Sequence, residues 1–244
     1  MTILTVATAA RKGGVGKTTI VVGCAALFAH QQLRTLVVDL DPQSNAAFAL
    51  GVDPSAPGTA ELLLGRSPEI RYAAANLGVL PGGPMLTDHA VASLDPEELA
   101  DAIKPLGFDV VIFDCPPGSD HLERFGLVAA DLAMVVVDAH PFAITGAARV
   151  IDFIHARRLK QRRAPQAIAM VQSRLDPRRA LDRDLEPALL AAYPDIPLHR
   201  VRQDIALAMA TSDQRPIHPD QNSRGIQDLT TLTRWLYEQR RTSS

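Results

Sequence analysis

Three short stretches hold the residues whose types and spacing can do chemistry. The first is Ala10-Arg11-Lys12-Gly13-Gly14-Val15-Gly16-Lys17-Thr18-Thr19. Its glycines let the backbone turn N–H groups toward a phosphate at the positive end of the helix that follows, in a geometry that a Cβ would obstruct. Gly13, Gly14, Val15, Gly16, Lys17, Thr18 and Thr19 are the candidate nucleotide contacts. Lys17 adds a point charge for β- and γ-phosphates, and the Thr18 hydroxyl is placed to coordinate Mg²⁺. The strict pattern GxxxxGK[ST] is not met, because Arg11 stands where its first glycine belongs, so the loop is a variant. A dinucleotide fingerprint GxGxxG fails at Thr19, which disfavours a nicotinamide enzyme.

The other two stretches are carboxylates that close apolar runs: Val37-Val38-Asp39-Leu40-Asp41-Pro42-Gln43 and Val111-Ile112-Phe113-Asp114-Cys115-Pro116-Pro117. Ligands of open α/β sheets sit at the carboxyl ends of strands, so Asp39, Asp41 and Asp114 can all converge on the glycine loop. Asp114 suits an outer-shell Mg²⁺ contact, since Mg²⁺ keeps several waters and needs few protein carboxylates, and Asp39 can do likewise. Asp41 is the better candidate to hold an attacking water, because phosphoryl transfer depends on positioning and charge neutralisation.

The elements that must position these groups are legible as alternation. Apolar runs at Ile3 to Ala7, Thr35 to Asp39, Val110 to Asp114, Ala133 to Asp138 and Ala167 to Gln172 read as strands buried on both faces, with helix-length segments between most of them. The fold class is therefore α/β: a mostly parallel central sheet with helices on both faces, which the GKT loop after the first strand makes one of the P-loop NTPase type, in one domain over residues 1–244. Lys17 to Gln31 reads as a core helix, and a last helix from about Ser223 to Arg241 carries Ile226, Leu229, Leu232 and Leu236 on one stripe. Gly78 to Pro84 and Pro216 to Pro219 read as loops.

Composition narrows the classes. The chain of 244 residues is 47% hydrophobic and 21% charged, as soluble globular proteins are. No apolar run reaches the length of a membrane span, and the first residues lack an export pattern, so a cytoplasmic location is expected. Two cysteines without CxxC spacing and seven scattered histidines give no basis for a disulfide framework or a zinc site. The net charge of −2 hides an asymmetry: residues 1–143 carry 8 Lys+Arg against 16 Asp+Glu, and residues 144–244 carry 17 against 11. A basic carboxyl-terminal part suggests a surface that meets a polyanion.

With KGGVGKTT, VVDLDPQSNAA and VVIFDCPPG in this order, the sequence resembles the ParA/MinD group of P-loop ATPases, and within it the ParA-type partition proteins. Leu77 to Pro81 and Arg215 to Gly225 extend the likeness along nearly the whole chain. The resemblance implies ATP and Mg²⁺ as cofactors. It implies that Lys12 reaches across a nucleotide-sandwich homodimer to the partner's phosphates while Lys17 binds them within its own subunit. It further implies that Asp41 orients the hydrolytic water, that Thr18, Asp39 and Asp114 serve the metal, and that Ser173 and Arg174 lie at the adenine. Ser44 stands where the family commonly has Gly, and Cys115 where it commonly has Thr.

Non-specific DNA binding by an ATP-bound dimer is the implied activity. Arg202 and Arg224 match the family's contact positions, Arg200 comes next, and a nucleoid location follows. The basic run from Arg157 to Arg163 is either a further contact or a solvated helix end. A ParB-like activator or cargo adaptor is the implied partner. The competing reading is a MinD-like ATPase whose last helix, with Trp235, Leu236, Arg240 and Arg241, lies on anionic lipid, although stable membrane association is not expected.

Overall fold

The computed structural model describes residues 3–118 and 120–240. Its centre is an eight-stranded sheet, built from β1 (Leu4–Ala9), β2 (Thr35–Asp39), β3 (Arg71–Ala74), β4 (Leu77–Leu80), β5 (Val110–Asp114), β6 (Leu132–Val137), β7 (Ala167–Leu175) and β8 (Leu198–Arg202). The spatial order is β3-β4-β2-β5-β1-β6-β7-β8, and every pairing is parallel except β3 with β4.

Because side chains alternate along a strand, each inner strand feeds two cores. Val110 and Ile112 of β5 join the layer formed with helices α1 (Lys17–His30), α2 (Asn45–Ala49), α9 (Ile205–Ser212) and α10 (Arg224–Gln239). Val111 and Phe113 point the other way, into the layer with α3 (Thr59–Leu63), α5 (Glu98–Ile103), α6 (Asp120–Ala129), α7 (Ala143–Leu159) and α8 (Ala180–Ala192); the short α4 (His89–Ala92) places Val91 there too. The mostly parallel sheet covered on both faces is the expected α/β architecture.

The five long apolar runs are strands, as their residue pattern implies. Three further strands escaped that pattern. Leu77–Leu80 is β4, so the segment expected to be a loop from Gly78 becomes irregular only at Pro81. A glycine in a strand of four residues weakens its signature. β3 and β8 lie at the sheet edges, half in water, and their RYAA and LHRVR sequences have no continuous apolar run.

Helix α10 spans Arg224–Gln239 with Ser223 as its cap, the Ser223 hydroxyl accepting the Ile226 N–H at 3.1 Å. Its stripe of Ile226, Leu229, Leu232 and Leu236 is buried in the core with α1, and the helix also packs on β8. The face that a lipid reading requires is therefore committed to the protein's own interior. Arg241 lies outside the described residues. Among the described residues no helix is long and apolar enough to cross a membrane.

The basic run at the end of α7 also has local work. Arg157 Nε donates to the Arg163 carbonyl at 2.7 Å and Arg158 Nε to the Pro165 carbonyl at 2.7 Å, closing the chain reversal after the helix. Arg157 additionally pairs with Glu97 at 2.9 Å.

Burial of Leu229 without exposed surface makes it a sensitive reporter of the α1–α10 contact. Leu229→Ala is expected to cost roughly 2–5 kcal/mol in urea unfolding, and a loss below about 1 kcal/mol would show that α10 is not part of the core.

Candidate functional site

Residues 10–16 connect the buried end of β1 to α1. Gly14 and Gly16 hold φ of +74° and +89°, in the left-handed region that side chains resist. The Gly16 carbonyl accepts the Ile20 N–H at 3.1 Å and so starts the helical ladder. Lys17 is buried at the first turn, and the Thr18 hydroxyl donates to Asp114 Oδ2 at 2.7 Å.

Asp114 ends β5 in register with Asp39 on one side and Thr8 on the other. It is 2% exposed, and its second oxygen, Oδ1, is buried without a hydrogen-bond partner. A carboxylate with one open oxygen beside a threonine hydroxyl fits the hard, partly hydrated cation expected here, since Mg²⁺ takes oxygen donors and keeps its waters. Burial pushes the Asp114 carboxyl up to about 6, against the pull of Thr18 and Lys17.

Asp39, the strand neighbour of Asp114, holds backbone. Its Oδ1 accepts the Asp41 N–H at 2.9 Å, and its Oδ2 accepts those of Ala46 at 2.8 Å and Ala47 at 3.3 Å. Both oxygens accept backbone N–H groups, so Asp39 anchors the loop and the amino end of α2. Burial, followed by the neighbouring Asp114 charge, raises its pKa.

Asp41 sits half-buried on that anchored loop and accepts the Gln43 N–H at 2.9 Å. The Pro81-Gly82-Gly83 turn presses against it: a Cβ on Gly82 would lie 2.2 Å from the Asp41 carbonyl oxygen. Gly83 N–H donates to Ser44 Oγ at 2.7 Å, and Ser44 itself holds a φ of +50°. That left-handed backbone is a physical reason for glycine to be common at this position. The role of Gly82 and Gly83 was not legible from sequence, where PGGP signals only a turn.

The two cations at the head of the loop pair with acidic side chains. Lys12 Nζ lies 3.4 Å from Asp138 Oδ2, and Arg11 Nη1 3.5 Å from Glu123 Oε2. Beside them opens a cavity of about 350 Å³ walled by β6 and the start of α7, with Phe142 and Thr145 among its lining.

Ser173 and Arg174 meet the loop's backbone. Ser173 is buried, its hydroxyl against the Val15 carbonyl and 3.2 Å from that of Val137, and Arg174 Nη1 donates to the Gly14 carbonyl at 2.7 Å. The basic candidates gather at the other edge of the sheet. Arg200 pairs with Glu186, Arg202 binds both oxygens of Asp228 at 2.7 and 2.5 Å, and Arg224 is exposed on the first turn of α10, its carbonyl 3.4 Å from Arg202 Nη2.

Residues 3–166 match the AAA domain family. The chain is 33% identical to the chromosome-partitioning ATPase Soj of Thermus thermophilus over 190 residues, covering 77% of this chain and 76% of that one. It is 36% identical over 160 residues to the chromosome partitioning protein ParA of Myxococcus xanthus, covering 59% of this chain and 55% of that protein. Among solved structures, the ATP complex of a Cyanothece McdA variant shares the fold with a TM-score of 0.81 at 22% identity, over 97% of this chain and 95% of that one. Cobyrinic acid a,c-diamide synthase of Mycobacterium smegmatis, with bound ATP analog and magnesium, gives a TM-score of 0.75 at 28% identity, over 87% and 92%.

The raised Asp114 carboxyl predicts a pH signature in the nucleotide-free protein. Between its usual 3.8 and the folded value of about 6, the folded state holds a proton that the unfolded chain has lost, so this group's stabilisation is full at low pH and is lost as pH rises to about 6. Asp114→Asn should therefore gain stability relative to the unsubstituted protein as pH rises from about 4.5 to about 7 in urea unfolding. A difference independent of pH would contradict the assignment.

Proposed function

The chain belongs to the ParA-type ATPases of the ParA/MinD group, and we propose how its residues carry that activity. ATP with Mg²⁺ binds at residues 13–19, with Lys17 on the phosphates and with Thr18 and Asp114 holding the metal and its water. When bound, Mg²⁺ neutralises phosphate charge and orders the oxygens around the scissile bond. Asp41, fixed by the Asp39 anchor and the Gly82 contact, orients the attacking water. The observation that carries this reading is the open, buried Asp114 oxygen beside the Thr18 hydroxyl, under a loop of left-handed glycines.

Lys12 supplies the second cation. Its contact with Asp138 is half exposed, and such pairs contribute about 0–1 kcal/mol. A partner's triphosphate offers far denser charge, so in this reading Lys12 exchanges Asp138 for the partner's phosphates, and homodimer formation depends on ATP. Residues 1–244 work as one ATPase domain.

The dimer then binds duplex DNA without sequence preference and positions a cargo on the nucleoid, with a ParB-like partner stimulating slow hydrolysis. The excess of Lys and Arg beyond residue 143 and the exposed Arg224 support this. Arg202 and Arg200 are already paired with carboxylates, so they meet phosphate by exchange, and Arg224 is the leading contact.

Fluorescence anisotropy on a labelled duplex tests the DNA reading. ATP should tighten binding relative to ADP, affinity should fall steeply with added salt, and Arg224→Ala should weaken binding about equally on unrelated sequences. Asp41→Ala should remain on DNA with ATP, and Lys17→Ala should not bind. Equal affinity in ATP and ADP would overturn the proposal.

A further inference from the structure

A glycine loop that binds phosphate must turn its N–H groups inward, and its carbonyls then face outward and need partners of their own. Among the described residues no peptide bond is cis, so each carbonyl points opposite to the N–H of the next residue across the same plane. Fixing the carbonyls of Gly14, Val15 and Gly16 therefore aims the N–H groups of Val15, Gly16 and Lys17. The Gly16 carbonyl is held by α1 through Ile20. The other two are held from a distant strand: Gly14 by Arg174 and Val15 by Ser173.

The strand is built for this contact. β7 pairs with β8 in regular register up to Gln172 opposite Arg200, then resumes at Leu175 opposite Arg202, so Ser173 and Arg174 face a single residue of the partner strand. Such a bulge re-aims side chains. Arg174 takes a left-handed φ of +53°, uncommon for a residue with a side chain, and this brings its stem over the loop: a Cβ on Gly16 would sit 3.5 Å from Arg174 Cγ. Ser173 is 2% exposed, its hydroxyl enclosed between the carbonyls of Val15 and Val137.

We propose that Ser173 and Arg174 are positioning residues of the ATPase, bracing the carbonyls of the phosphate loop through the β7 bulge so that its N–H groups are aimed at the nucleotide before it arrives. The inference rests on the reading that this loop binds ATP. Loss of one such donor should weaken binding about tenfold, as leaving a loop carbonyl without its partner does. A residue that braces the loop affects every triphosphate alike, whereas one that reads the base changes the choice of base.

Fluorescent ATP and GTP analogues, titrated onto the unsubstituted protein, Ser173→Ala, Ser173→Thr, Arg174→Ala and Arg174→Lys, separate the two. Both alanine variants should lose affinity for ATP and GTP by the same factor, about tenfold. Ser173→Thr and Arg174→Lys, which keep a donor, should recover most of it. In the nucleotide-free alanine variants, amide exchange at residues 15–17 should accelerate while the α10 amides keep their protection. A changed ATP-to-GTP ratio would reassign the pair to the base, and unchanged affinity with unchanged exchange would overturn the brace. If the unsubstituted protein binds neither analogue, the ATP reading itself fails, and accelerated exchange alone would still show the brace.

Discussion

Two carboxylates that end adjacent strands, Asp39 and Asp114, lie in register in the interior, and the rest of the site follows from that arrangement. Burying one charge is costly and burying two side by side more so, unless each finds donors or a cation. Asp39 resolves its share locally, by accepting three backbone N–H groups, one from the loop after β2 and two from the amino end of α2. Asp114 is left half-resolved, with Thr18 on one oxygen and the other open. The free protein thus holds at its centre a buried carboxylate with one open oxygen, offset only in part by Thr18 and Lys17. Sites of this kind trade stability for function.

The fold delivers these groups by stacking parallel strands whose carboxyl ends share one edge. β1 leads into the glycine loop, β2 into Asp39 and Asp41, β5 into Asp114, β6 into Asp138, and β7 into the bulge under the loop. Each strand is held from both faces by a separate apolar layer, which gives the edge a rigid base. On that base the movable parts are few. Lys12 is half exposed on a partly exposed Asp138, and such a contact exchanges readily because it contributes little, whereas Arg11 is paired with the buried Glu123.

What could be read from residues alone divides along sequence distance. The glycine loop, α1 and the strands buried on both faces announce themselves through neighbours in the chain, by glycine and GKT spacing and by continuous apolar runs. The edge strands β3 and β8 do not, because water on one side permits polar residues that dilute the pattern. Contacts across long separations leave no local mark. Lys12 meets Asp138 126 positions away, and Arg174 meets Gly14 160 positions away. Asp39 and Ser173–Arg174 show the consequence: their hydrogen bonds to the backbone around the glycine loop and α2 appear only in three dimensions.

The central claim is that the triphosphate joins two copies through a lysine contributed by each. Sedimentation velocity on the Asp41→Ala protein, which should retain its ATP, tests it most directly. With ATP and Mg²⁺ the species should have the mass of two chains and with ADP that of one, and adding Lys12→Ala should return it to one chain while nucleotide stays bound. A two-chain species that survives loss of Lys12, or a single-chain mass in ATP as in ADP, would contradict the account.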